Sequence, residues 1–190
     1  MDKEMKIKSS LLVFMLSLLL VATALGGCKF TSQGDPDTNK NPGADQPQTV
    51  TIEAALYFSD DQAEYLVPEK RTLKIKEGDD ELLASKIVEG LIAGPESKDL
   101  QPTIPAESKL LSLKISNGIA DVNFNDALKS NHPGGSAGET MTLYSLINSL
   151  TEISSIDKVQ LLIEGKKVET LAGHMDTSEP LERNTDIIKK

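Results

Sequence analysis

The pentapeptide Gly134-Gly135-Ser136-Ala137-Gly138 has the spacing of a Gly-x-Ser-x-Gly nucleophile elbow. Glu152 or Asp157, and then His174, follow it in the Ser–acid–His order of the α/β hydrolases. An elbow must come straight off a strand, because the sharp strand-to-helix turn is what strains and exposes the serine. Here Asn131-His132-Pro133 intervenes, and the preceding strand is expected to end near Asn125. A simpler chemistry fits the same residues. Ser136 and Glu139 form a Ser-x-x-Glu capping box that would satisfy the orphan N–H groups opening a helix. A serine hydrolase using Ser136 is therefore only a remote alternative, and no catalytic residue is assigned. His132 and His174 lie far apart and in no ligand spacing, so no metal site is expected. Asp60-Asp61 and Asp79-Asp80-Glu81 suit a turn and a helix start, without the alternating carboxylates and central glycine of a calcium loop. Neither Walker A nor Gly-x-Gly-x-x-Gly occurs, and no cofactor is expected.

Composition narrows the classes further. The 190 residues are 38% hydrophobic and 26% charged, enough for one core of ordinary size. Aromatic residues are only 4%, Trp is absent and the formal charge is −9. Such a chain lacks both the stacking platforms and the basic footprint of a nucleic-acid binder. A single cysteine excludes a disulfide framework and any multi-Cys metal site.

That cysteine has a different use. Lys3, Lys6 and Lys8 precede the uncharged run Leu11–Ala22, which is followed by Leu25-Gly26-Gly27-Cys28. The run is short for a spanning helix and reads as a secretory signal. Its ending resembles a bacterial lipobox, which implies cleavage before Cys28 and acylation of the sulfur. Residues 1–27 are then a lipoprotein signal peptide. Residues 28–48 are the lipidated cysteine and a disordered tether, with three Pro, two Gly and Phe30 as its only large apolar residue. The expected location is the extracytoplasmic face of the cell membrane.

The elements that would position the loop residues come next. Thr49–Phe58 alternates with Val50, Ile52, Ala54, Leu56 and Phe58 on one face, the pattern of a half-buried strand. Glu64–Val67 predicts a short return strand ending at Pro68, and Arg71–Lys76 alternates again. Asp79 or Asp80 caps a helix to Ala93 with Leu83, Ile87, Val88 and Leu91 as its stripe, stopped by Gly94-Pro95. Lys109–Ser116, with Leu111, Leu113 and Ile115 on one face, turns through Asn117-Gly118 into Ile119–Asn125. A second helix is expected over Ala137–Ile153, with Leu143, Leu146, Ile147 and Leu150 inward. Lys158–Glu164 and a weaker Lys167–Leu171 are the last strands, and 175–190 is a polar tail able to pack through Leu181 and Ile187-Ile188. The order β-β-α-β-β-α-β-β predicts an α+β domain over 49–174, two helices on one face of a mainly antiparallel sheet.

These segments resemble a known family. Tyr57-Phe58, Leu66-Val67-Pro68 with Arg71, Leu91-Ile92-Ala93-Gly94-Pro95 and Ile104-Pro105 carry the likeness. So do Lys109–Leu113, Gly118–Phe124, Asn148-Ser149-Leu150-Thr151 and Val159–Gly165, with Gly173-His174 and Pro180-Leu181 as weaker echoes. Together they are similar to the GerMN domain, the sporulation and spore germination domain of Gram-positive bacteria. Asn123-Phe124 stands where the family has Asp-Leu, and one copy is present where some relatives carry two. The resemblance implies a non-enzymatic, lipid-anchored interaction or scaffold module in sporulation, germination or envelope assembly. Its partners would be the membrane, through Cys28, and envelope or sporulation proteins, with self-association as a further route. The alternative is a small-ligand receptor, with the loops Pro95–Ser108 and Asn131–Gly138 rimming a pocket.

Overall fold

In a computed structural model, residues 48–190 are described; the expected signal, Cys28 and all of the tether but Gln48 lie outside them. Strands β1 (Thr49–Ser59) and β2 (Leu66–Lys76) pair antiparallel along their whole length. The expected alternation holds: Ala54, Leu56 and Phe58 are buried, and Val50 and Ile52 pack against the same core. The break expected at Pro68 does not occur. Pro68 lies opposite Tyr57, whose N–H donates to Ser149 Oγ and whose carbonyl accepts from Ser145 Oγ, away from β2. The pair is thus not hydrogen-bonded across the ladder, and a proline there costs no ladder bond.

Helix α1 (Asp80–Ala93) starts as expected, with the Asp79 carboxylate accepting from the N–H of Leu82. Its stripe of Leu83, Ile87, Val88 and Leu91 is buried. Gly90 lets the helix sit close on β1, since a Cβ there would lie 2.6 Å from Leu56 Cδ2. Strands β3 (Leu110–Ser116) and β4 (Ile119–Phe124) form the expected hairpin, with Asn117 and Gly118 at φ 52° and 78°. The register shifts between Leu110 and Ser112, and this bulge turns Leu111 outward. Leu111 is 48% exposed while Leu113 stays buried, so the expected common face of Leu111 and Leu113 is broken.

A short helix α2 (Ala127–Ser130) lies between β4 and the second expected helix, α3, which runs over Ser136–Leu150 and ends short of the expected Ile153. Strand β5 (Lys158–Ile163) then pairs parallel to β4, as a crossover through a helix allows. Two-residue strands β6 (Lys166–Lys167) and β7 (Leu181–Glu182) pair antiparallel with the two ends of β5. The fold is α+β as expected, with α2 and β7 added to the expected order, the expected strand Lys167–Leu171 reduced to Lys166–Lys167, and two sheets in place of one. Its strands form two sheets, β1-β2 and β3-β4-β5-β6, the second mixed. One apolar cluster joins both sheets to α1 and α3, including Phe58, Leu91, Phe124, Ile147 and Leu150. The closing segment belongs to this unit: the N–H of Leu66 donates to Ile187 O, and the N–H of Lys189 donates to Leu66 O. Among the described residues no helix is long and apolar enough to cross a membrane.

Candidate functional site

Two loops expected to rim a pocket meet around one cleft of about 620 Å³, lined by Ile92, Pro95, Leu100, Ile104, Asn131 and Pro133 among others. That volume lies in the range of small-molecule and peptide-segment sites. The first wall begins where Gly94, at φ 85°, ends α1. Pro95, Pro102 and Pro105 line it and restrict its backbone freedom. Its base is clamped from β2. The Arg71 guanidinium donates to Gly94 O at 3.0 Å and pairs with Glu69 at 2.5 Å. Glu69 in turn accepts from the N–H groups of Glu96 and Ser97. Burial raises the Glu69 carboxyl pKa, but the Ser97 and Glu96 N–H groups and Arg71 outweigh it, and the value falls below the usual range.

The second wall, residues 131–135, is held to the first through α3. Gly134 N–H donates to His132 Nδ1 at 2.9 Å, and His132 Nε2 lies 3.0 Å from Thr142 Oγ1. The Thr142 hydroxyl donates its one proton to Thr103 O at 2.6 Å, across the cleft base. Beside it, Ser145 donates to Tyr57 O, so the 2.6 Å contact of Thr103 Oγ1 with Ser145 Oγ has the threonine as donor. Thr142, Ser145, Asn148 and Ser149 thus form a buried polar stripe on α3, which takes the peptide groups of the neighbouring segments.

Glu139 is a third clamp. It is fully buried, and its carboxylate accepts from the N–H groups of Leu171, Ala172 and His174 at 3.0, 2.8 and 2.7 Å. Burial pushes its pKa up, but these donors outweigh it and hold the carboxyl below its usual range. The expected capping box is therefore absent. The helix opens one residue earlier, with Gly135 as N-cap accepting from Glu139 N–H, and the Glu139 side chain is spent on 171–174.

The remote hydrolase constellation is not assembled either. Ser136 is exposed in the first turn of α3, and His174 is exposed in the loop that Glu139 holds. Glu152 accepts from Tyr57 OH at 2.6 Å and pairs with Arg183 at 2.5 Å, with the guanidinium 5.3 Å from the Tyr57 ring centre. Burial raises the Tyr57 pKa, and the Glu152 contact adds to the rise. Among the described residues no three His, Cys, Asp or Glu side chains cluster as a metal site would need. The sequence reading placed His132 in a rim loop but gave no role in holding the walls to it, nor to Arg71, Glu69 or Thr142. The one available signal was the recurrence of Thr142, Ser145 and Ser149 at helical spacing beside the apolar stripe.

Comparison with known proteins agrees with this fold. The family model Germane, described as sporulation and spore germination, matches residues 55–169. A crystal structure of a candidate lipoprotein from Clostridium perfringens is 31% identical, with a TM-score of 0.52, over 70% of this chain and 87% of that one. The tandem GerMN domains of the sporulation protein GerM from Bacillus subtilis match at 24% identity and TM-score 0.58, over 69% of this chain and 46% of that one. The first GerMN domain of the same protein matches at 23% and 0.55, over 70% of this chain and 98% of that one. The two GerM likenesses concern the fold alone. No curated protein matches the chain. The match over 55–169, covering β2 to β6, all three helices and both walls of the cleft, makes this chain a member of the Germane family of sporulation and spore germination domains.

Proposed function

We propose that the chain is a lipid-anchored, non-enzymatic interaction module on the extracytoplasmic face of the cell membrane, acting in sporulation, germination or envelope assembly. The family match over 55–169 carries the reading. Leu25-Gly26-Gly27-Cys28 supports the anchor, as does the likeness to a candidate lipoprotein. Acylation of Cys28 would tether the domain, and a chain this acidic, −9 over its full length, would be repelled by anionic headgroups. The test is cell fractionation with the intact mass of the mature chain. The expected result is a mature chain beginning at a diacylglycerol-modified Cys28 in the membrane fraction, and a Cys28→Ala chain that is neither acylated nor cleaved before residue 28. An unmodified Cys28, or unchanged cleavage before residue 28 in Cys28→Ala, would refute the anchor.

The cleft between residues 92–107 and 131–133 favours a second reading, a receptor for a small ligand. Its size and its restrained walls suit a molecule with an apolar body. A thermal shift of the full chain with envelope metabolites would support it. No shift, together with captured protein partners, would leave the interaction module as the sole reading.

A further inference from the structure

His132 sits where one proton decides the shape of the cleft wall. Two independent counts fix its neutral tautomer. Gly134 N–H points at Nδ1, which must therefore offer a lone pair. Thr142 has already given its hydroxyl proton to Thr103 O, so it accepts from the ring and Nε2 carries the hydrogen. Both ring nitrogens are thus committed. The Nδ1 bond closes the turn His132-Pro133-Gly134, and the Nε2 bond joins that turn to α3 and, through Thr142, to the opposite wall. Protonation would place a hydrogen on Nδ1 facing the Gly134 N–H, two donors at hydrogen-bond distance with no acceptor between them. The turn must then move, and Asn131 and Pro133, which line the cleft, move with it.

We propose that His132 is an acid-released latch: neutral, it holds the 131–135 wall against α3, and protonated at Nδ1 it lets that wall go. This holds whatever the cleft binds. Burial favours the neutral ring and lowers its pKa, while Glu139 and the Gly138 backbone pull the other way. Glu139 is the charged group acting on the ring from α3. Thr142 on α3 and Thr103 on the opposite loop are uncharged, and Lys129 on α2 is exposed. Release therefore begins as pH falls below the ordinary histidine value of about 6.5 and completes through the lower folded value.

With only two histidines, isotope-labelled imidazole signals of the full chain in detergent micelles can be assigned by comparison with His132→Asn. The expected result is His132 as the Nε2–H tautomer at neutral pH. Exchange of the Gly134 amide, corrected for intrinsic pH dependence, should rise roughly tenfold as that ring titrates, as loss of one hydrogen bond predicts. In His132→Asn, whose Oδ1 can accept from Gly134 but does not titrate, the rise should vanish. Three results would each overturn the latch: an Nδ1–H tautomer at neutral pH, a Gly134 amide indifferent to the titration, or a ring that stays neutral until the domain unfolds in acid.

Discussion

Glu139 and His132 both tie a loop to the first half of α3, and they do it with opposite chemistry. Glu139 is a buried charge whose oxygens meet backbone N–H groups of residues 171–174. His132 is a half-buried neutral base with one acceptor and one donor, each used once. A charge satisfied by several fixed dipoles is stable across the range of pH in which cells live. A base whose lone pair is itself the clamp is stable only while that lone pair is free. The difference separates a permanent part of the frame from a conditional one, and the conditional one sits between two residues that line the cleft, Asn131 and Pro133.

The largest expected effect breaks the permanent clamp. Glu139→Ala would orphan up to three N–H groups, at about 1–3 kcal/mol for each that stays buried. Unfolding in urea should therefore show a loss of about 3 kcal/mol or more, and Glu139→Gln, which keeps one acceptor oxygen, should lose less. A loss below about 1 kcal/mol for Glu139→Ala would remove the clamp from the account. Next comes the hold of α3 on β1 and the first wall. Ser145→Ala strips the donor from the buried Tyr57 carbonyl and the acceptor from Thr103, and should cost about 1–3 kcal/mol.

Acid should separate the two clamps in order. Glu69, Glu139 and Glu152 all have carboxyl pKa values held below the usual glutamate range, against the upward push of burial. Their stabilisation is complete above that range and is lost as pH falls through the depressed folded values. The neutral-His132 contribution has the same sign and fades first, starting below about 6.5. A pH series of unfolding curves should show a shallow early loss, absent in His132→Asn, before the steep acid limb. The smallest effect is Ser136→Ala. Gly135 rather than Ser136 caps α3, so the change should stay within about 0.5 kcal/mol. A loss of 1 kcal/mol or more, by the same urea series, would restore the capping role.

Much of the frame was legible because it depends on local periodicity. The stripe Leu83, Ile87, Val88 and Leu91, the stripe Leu143, Leu146, Ile147 and Leu150, and the Asn117-Gly118 turn all stand where spacing puts them. What was hidden depends on pairing. Pro68 sits within β2 because Tyr57 turns its peptide groups to α3. Leu111 faces out because the register slips beside it. The parallel β4–β5 pair follows from where α3 crosses, which no single segment encodes. The cleft was half legible: its two loops are punctuated by Pro and Gly. The two clamps on α3 were not, because Glu139 and His132 gain their roles from backbone groups 2 to 35 residues away.

The most direct test of the proposed interaction module is chemical cross-linking of the wild-type protein in intact cells. Captured proteins are identified by mass spectrometry, with a Cys28→Ala strain as control. The account predicts specific membrane or envelope partners that disappear when Cys28 is lost. A wild-type sample that captures the same background as Cys28→Ala would contradict it, and would leave the cleft as a ligand site to be explained alone.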